Sequence, residues 1–153
     1  MEITLTIDRA AVLAEVAQTT SYTGDKMVGD AGAYDRISTV DENEPELRRF
    51  WNESRAEVAQ TFKTLLKREG MNAADADQYD LVLDVSEAFD PALLPGMELG
   101  LFSYFVQNIV GKWYVYTNKG EAGAYSDHGS VLLGEVREKA FYKKKPDPPT
   151  YDD

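Results

Sequence analysis

Glu2, Thr4 and Thr6 alternate with Ile3, Leu5 and Ile7 at the start of the chain, the period-two pattern of a strand with one buried face. Asp8 follows as an N-cap for a helix in which Val12, Leu13 and Val16 share a face. Thr19 and Thr20 are poor helix formers, and the helix is expected to fade there. From Ser21 to Asn43 the chain is rich in glycine, Asp and Thr and has little apolar periodicity. It reads as a long embedded connection that gains order against a partner.

Helical spacing returns at Leu47, Phe50, Trp51, Val58, Phe62, Leu65 and Leu66, after Asp41 or Asn43 as N-cap and with Pro45 in the first turn. Gly70 is the expected C-terminal stop of this long helix. "YDLVLDV" alternates again, so Leu81, Leu83 and Val85 form a second strand that shares a small two-stranded sheet with Ile3, Leu5 and Ile7. Pro91 and Pro95 mark the next boundary. The segment from Met97 to Thr117 is apolar on nearly every face, as a helix at the centre of a bundle would be.

Asn118 to Gly120 connects to a last helix with an inward stripe of Tyr125, His128, Leu132, Val136 and Ala140, and Lys143 to Lys145 stand near its C-terminal end. Gly123, Gly129 and Gly134 are unfavourable there unless backbones approach closely. "PDPPTYDD" cannot continue the helix. The fold class is therefore mainly α: a helical bundle with a long helix, a central apolar helix and a C-terminal helix, plus a two-stranded β element. Residues 1–145 form one helical domain with the loop 21–43 embedded in it, and 146–153 form an extended tail. The expected core is Phe50, Trp51, Phe62, Phe102, Phe105, Ile109, Trp113, Tyr125 and Leu132.

Composition narrows the function classes. The 153 residues carry 16 Lys and Arg against 27 Asp and Glu, for a formal net charge of -11, which disfavours broad contact with nucleic-acid phosphates. With no cysteine there is no disulfide, thiolate nucleophile or thiolate metal site. The richest apolar stretch, Leu99 to Tyr116, is interrupted by Gly100, Ser103, Gln107, Asn108, Gly111 and Lys112, so a soluble helix is expected rather than a membrane span. "MEITLTIDRA" lacks the regions of a signal peptide, and synthesis and residence in the cytoplasm are expected.

Candidate chemistry is sparse. Neither a Walker-type nor a dinucleotide-binding glycine pattern occurs. His128 has Ser126, Asp127 and Ser130 nearby in sequence, but neighbours along a helix point in different directions, and a packed or interface histidine is the expectation. Asp75, Asp77, Asp80 and Asp84 lack the glycine and the glutamate of a calcium loop and read as a solvated acidic turn. Trp113, Tyr114, Tyr116 and Tyr125 have the chemistry to stack on bases, yet their helical setting favours packing. "PPTY" matches a proline-rich ligand of aromatic grooves and marks an accessible tail. No cofactor and no metal are expected.

"MEITLTIDRAAVLAEVAQTTSYTGDKM", "AYDRISTVDE", "RFWNES", "LFSYFVQNIVGKWYVYTNKGEA" and "YKKKP" resemble a family of short structural proteins encoded in phages and prophages of anaerobic gut bacteria. The helical half is similar in architecture to the head-tail adaptors of long-tailed phages, which assemble as rings between portal and tail. The resemblance implies a non-enzymatic virion protein assembled in the host cytoplasm, partnered by its own copies and by portal, tail or neck proteins. DNA would pass through such a ring without sequence-specific binding, and an acidic wall suits that passage. The expected interface residues are Ile3, Leu5, Ile7, Tyr22, Tyr34, Ile37 and Tyr151. The alternative is a cytoplasmic acidic binding protein that mimics DNA and inhibits a host enzyme.

Overall fold

The computed structural model describes residues 1–27 and 29–151; Val28 of the expected connection, and Asp152 and Asp153 of the expected tail, lie outside the described residues. The chain runs β1 (Glu2–Asp8), α1 (Arg9–Lys26), α2 (Ala33–Ile37), α3 (Glu44–Thr61), β2 (Leu66–Met71), β3 (Gln78–Asp84), α4 (Leu94–Thr117) and α5 (Lys119–Phe141). It is mainly helical, with a three-stranded antiparallel sheet in the order β1-β3-β2. Ile3 faces Leu83, Leu5 faces Leu81 and Ile7 faces Tyr79, so the two alternating segments pair with their apolar faces in common.

The third strand corrects the expectation of two. Leu65 and Leu66 continue a helical spacing on paper, but α3 ends at Thr61, a turn bonded from the Leu65 N–H to the Phe62 carbonyl follows, and Leu66 opens β2. Gly70 lies within that strand and does not cap the helix. A two-stranded ribbon is marginal, and the added hairpin partner gives the sheet enough width to hold a helical layer.

The connection expected at 21–43 is also largely structured. Helix α1 passes through Thr19 and Thr20 to Lys26. The Thr20 hydroxyl donates back to the Val16 carbonyl at 3.0 Å and accepts from the Thr39 N–H at 3.2 Å, so a residue of low helix propensity is retained by a buried tertiary bond. Ala33 and Ile37 of α2 are buried, and the segment lies on its own body, against α1 and α4. At the other end of β1 the expected cap forms: Asp8 Oδ1 accepts from the Ala11 N–H at 3.3 Å.

Helix α4 is central, packed by α1, α3, α5 and β1. Phe50, Trp51, Phe62, Phe105 and Ile109 are buried; Trp51 stacks on Phe105 at 4.3 Å, and Tyr79 of β3 meets both rings edge-on. Phe102, Trp113, Tyr125 and Leu132 are half-buried and pack against this core from its rim. On α5 the inward face is Ala122, Gly129, Leu133, Val136 and Ala140, with His128 exposed and Leu133 in the place expected for Leu132.

Close approach of α4 and α5 explains that shift. A β-carbon on Gly100 would stand 2.9 Å from Val136 Cγ2, and one on Gly111 would stand 3.2 Å from the Ser126 backbone nitrogen. Of the three glycines expected to mark close contact, Gly129 lies against α4, whereas Gly123 and Gly134 face open space. The α5 helix ends at Phe141, and Tyr142 to Tyr151 have no regular secondary structure and are exposed. One backbone bond, from the Lys144 N–H to the Ala88 carbonyl at 2.7 Å, ties the base of this arm to the body.

Candidate functional site

Two polar residues interrupt the apolar run of α4 on one side, Asn108 and Lys112, a single turn apart. The spacing stacks them over α3. Asn108 Nδ2 lies 2.8 Å from both Ser54 Oγ and Glu57 Oε2. The Tyr104 hydroxyl donates to the same Glu57 oxygen at 2.6 Å, and Lys112 Nζ stands 3.1 Å from Glu57 Oε1 and 3.2 Å from Glu53 Oε2. Glu57 and Lys112, with Ser126 and Ser130 from α5, line a groove of about 540 Å³ over α4.

The electrostatics of this cluster favour the charged pair. Burial alone would raise the Glu57 carboxyl, but hydrogen bonds from Tyr104, Lys112 and Asn108 outweigh it and hold it below its usual range. Burial likewise opposes the Lys112 charge, and its bonds to Glu57 and Glu53 push the ammonium above its usual value. Burial, then the adjacent Glu57, raises the Tyr104 hydroxyl. With its acceptor oxygens taken by three donors, Tyr104, Asn108 and Lys112, Glu57 joins α3 to α4, and the geometry is that of a bridge between helices.

The serine, aspartate and histidine types of α5 are not brought together. Ser126 and Ser130 face the Glu57 groove, while His128 lines a separate shallow hollow with Gln107 and Tyr125. The acidic turn is likewise committed to structure. Asp77 pairs with Arg9, Asp80 accepts from Thr6, Asn72 and Gln78, and Asp84 meets the N-terminal ammonium. Among the described residues no group of three or more His, Asp or Glu is arranged to hold a metal ion, and no helix is long and apolar enough to cross a membrane.

A second groove, of about 400 Å³, opens where α2 and the turn after it meet α4, and has Tyr34, Asp35, Arg36, Val40, Glu42 and Trp113 among its walls. Trp113 is fixed there by its indole N–H, which donates to the Ile37 carbonyl at 2.6 Å. Tyr34 is 47% exposed. Ser38 is buried, and its Oγ has no hydrogen-bond partner among the described residues. Arg36 is engaged by Asp30 at 2.7 Å, whereas Asp35 and Glu42 form no ion pair among the described residues.

The expected interface residues divide. Ile3, Leu5, Ile7 and Ile37 are buried in the fold and offer no side chain to a neighbour, because the strand and α2 spend their apolar faces on the core. Tyr22, Tyr34 and Tyr151 are exposed, Tyr151 at 84%. Nor does β1 keep two usable backbone edges: β3 takes one, and on the other Glu98 Oε1 accepts from the Thr6 N–H at 3.1 Å. Of the aromatics weighed for stacking, Tyr114 is buried edge-on to Tyr125 at 5.2 Å and Trp113 is held by Ile37. Tyr116, 72% exposed and stacked on Phe50, is the accessible one of the four.

Sequence reading passed over Tyr104, Glu57, Asn108 and Lys112 as a unit. The signal that would have found them is the one-turn spacing of Asn108 and Lys112 in an otherwise apolar helix, since polar groups at a buried face need partners. Comparison with family models, with curated proteins and with solved structures returns no match for this chain.

Proposed function

We propose that this protein is a non-enzymatic structural subunit of a phage particle, a head-tail connector that forms a ring in the neck between portal and tail. The observation that carries the reading is the combination of a body closed by its own packing with an exposed arm, Tyr142 to Tyr151, that has a basic base and a proline-rich end. Such a segment adds nothing to the core and is built to reach another surface. The likeness of "RFWNES", "LFSYFVQNIVGKWYVYTNKGEA" and "YKKKP" to phage structural proteins supports the same role. The net charge of -11 suits a wall past which a duplex slides without being held. In this reading the partners are further copies of the chain and the portal and tail or neck proteins, and the protein resides in the virion.

The test is location and copy number. The protein should be present at several copies in each purified particle. Deletion of 146–153 should leave helical circular dichroism intact and abolish incorporation. Replacement of 21–43 by a linker is not a clean companion test, since it would remove the buried Ile37 and Ala33. Absence from purified particles would overturn the connector reading. The acidic run Asp41, Glu42, Glu44 and Glu46 favours the second reading, a DNA mimic, and recovery of a basic host nucleic-acid enzyme on the protein would support that instead.

A further inference from the structure

The arm and the groove of Tyr34 and Trp113 lie at opposite ends of the helical hairpin. The α5 helix ends beside the first turns of α4, where Val136 packs on Gly100 and Lys139 reaches Gly96. Trp113 stands roughly 25 Å further along α4, at the helical rise of about 1.5 Å per residue. The arm is tied at Lys144 to Ala88, just before α4 begins. In an extended polyproline conformation Pro149 reaches only roughly 15 Å beyond that point, at about 3.1 Å per residue. The prolines of one chain therefore fall short of its own groove.

Groove and arm are nonetheless complementary. The arm carries Lys143, Lys144 and Lys145 followed by Pro146, Pro148 and Pro149, and a pre-extended proline segment packs on aromatic faces with little loss of entropy. The groove offers Tyr34 and the half-buried Trp113 as those faces. Asp35 and Glu42 line it without an ion pair among the described residues, the lining Arg36 is neutralised by Asp30 at 2.7 Å, and Asp41 flanks the groove in sequence.

We propose that this groove binds the arm of a second copy of the chain, with its prolines between Tyr34 and Trp113 and its lysines against Asp35 and Glu42. The contact joins one end of a subunit to the other end of the next. Head-to-tail interfaces of this kind make rings when the rotation closes and filaments when it does not. The inference rests on the ring-subunit reading and supplies its contact.

Because the chain has no cysteine, one population of the full-length protein can carry only Ala31→Cys, exposed just before α2 and outside the groove's lining, and another only Thr150→Cys. After mixing and treatment with a short bis-maleimide, a product joining one chain of each kind is expected, since each chain has only one thiol. Reversal of the exposed Lys143, Lys144 and Lys145 to Glu, which keeps the backbone bond to Ala88, should reduce its yield about tenfold or more through like-charge repulsion. Added Asp35→Lys on the other population should restore it. A defined oligomer by light scattering with no mixed product would overturn the arm contact and leave the ring reading standing. A mixed product in open-ended chains would support the contact and count against a closed ring. A monomer without mixed product at the highest soluble concentration would overturn the arm contact, and so would a yield unchanged by charge reversal.

Discussion

The bare α-carbon of Gly24 in α1 lies against the backbone of Tyr34 in α2: a β-carbon on Gly24 would stand 2.8 Å from the Tyr34 Cα. Backbone cannot swing aside as a side-chain tip does, so Gly24→Ala should displace α2 even though alanine is the better helix former. An overpacking loss of about 1–3 kcal/mol is expected, offset by about 1 kcal/mol of helix propensity. Hydrogen exchange should accelerate at 33–39 while far-ultraviolet circular dichroism barely changes. Unaltered protection there would show that α1 and α2 do not approach as closely at Gly24 as this geometry requires.

The antiparallel packing of α4 and α5 gives a contrast between two other glycines. Gly111→Ala places a methyl 3.2 Å from the Ser126 nitrogen and should lower the melting temperature, with a net loss of up to about 2 kcal/mol. Gly134 faces open space, and Gly134→Ala should stabilise the protein by about 1 kcal/mol. Equal responses of the two variants would mean that α5 does not sit as close to α4 as the geometry requires.

These glycines also show where the sequence was readable and where it was not. Alternation at Ile3, Leu5 and Ile7 announces its strand, and helical spacing at Leu47, Phe50 and Trp51 announces α3, because large apolar side chains mark the buried face. On α5 the contact face includes Ala122 and Gly129, which carry no such mark, so Leu132 draws the stripe one position away from Leu133. Strand β2 is hidden for a different reason. It is a short edge strand with Lys67, Arg68 and Glu69 in its middle and an irregular register at Lys67, the charged and bulged design that protects an edge from pairing, and it reads as helix surface. The second groove was illegible because it exists only after α2 docks on α4.

The Glu57 cluster makes a prediction in the acid range. Its carboxyl is held below its ordinary value of 4.5, so its contribution to stability is present above that value and is lost as the pH falls through the folded value. Glu57→Gln should flatten this acid loss and cost no more than about 1 kcal/mol near neutrality, since the pair with Lys112 is partly exposed and Lys112 keeps Glu53. Asn108→Ala should cost more, about 1–3 kcal/mol, because it removes a buried donor shared by Ser54 and Glu57. Urea titrations of both variants at neutral and acid pH decide this, and an acid limb unchanged by Glu57→Gln would remove Glu57 from the account.

At the alkaline end the group to watch is Tyr114. Its side chain is buried against Tyr125, Thr23 approaches its hydroxyl without completing a hydrogen bond, and burial pushes its ionisation from 10.0 up to about 12. A raised folded value means that the folded state keeps its proton longer. The contribution is therefore whole below pH 10 and is lost as the pH rises through about 12. Tyr114→Phe removes both the titration and a buried hydroxyl that lacks a partner, whose desolvation costs about 1–3 kcal/mol. The variant should be at least as stable as the parent at neutral pH and should lose less stability between pH 10 and 12, followed by thermal melts and tyrosinate absorbance. A clear loss of stability in Tyr114→Phe at neutral pH would mean that the hydroxyl does bond in solution, with Thr23 the first residue to substitute in turn.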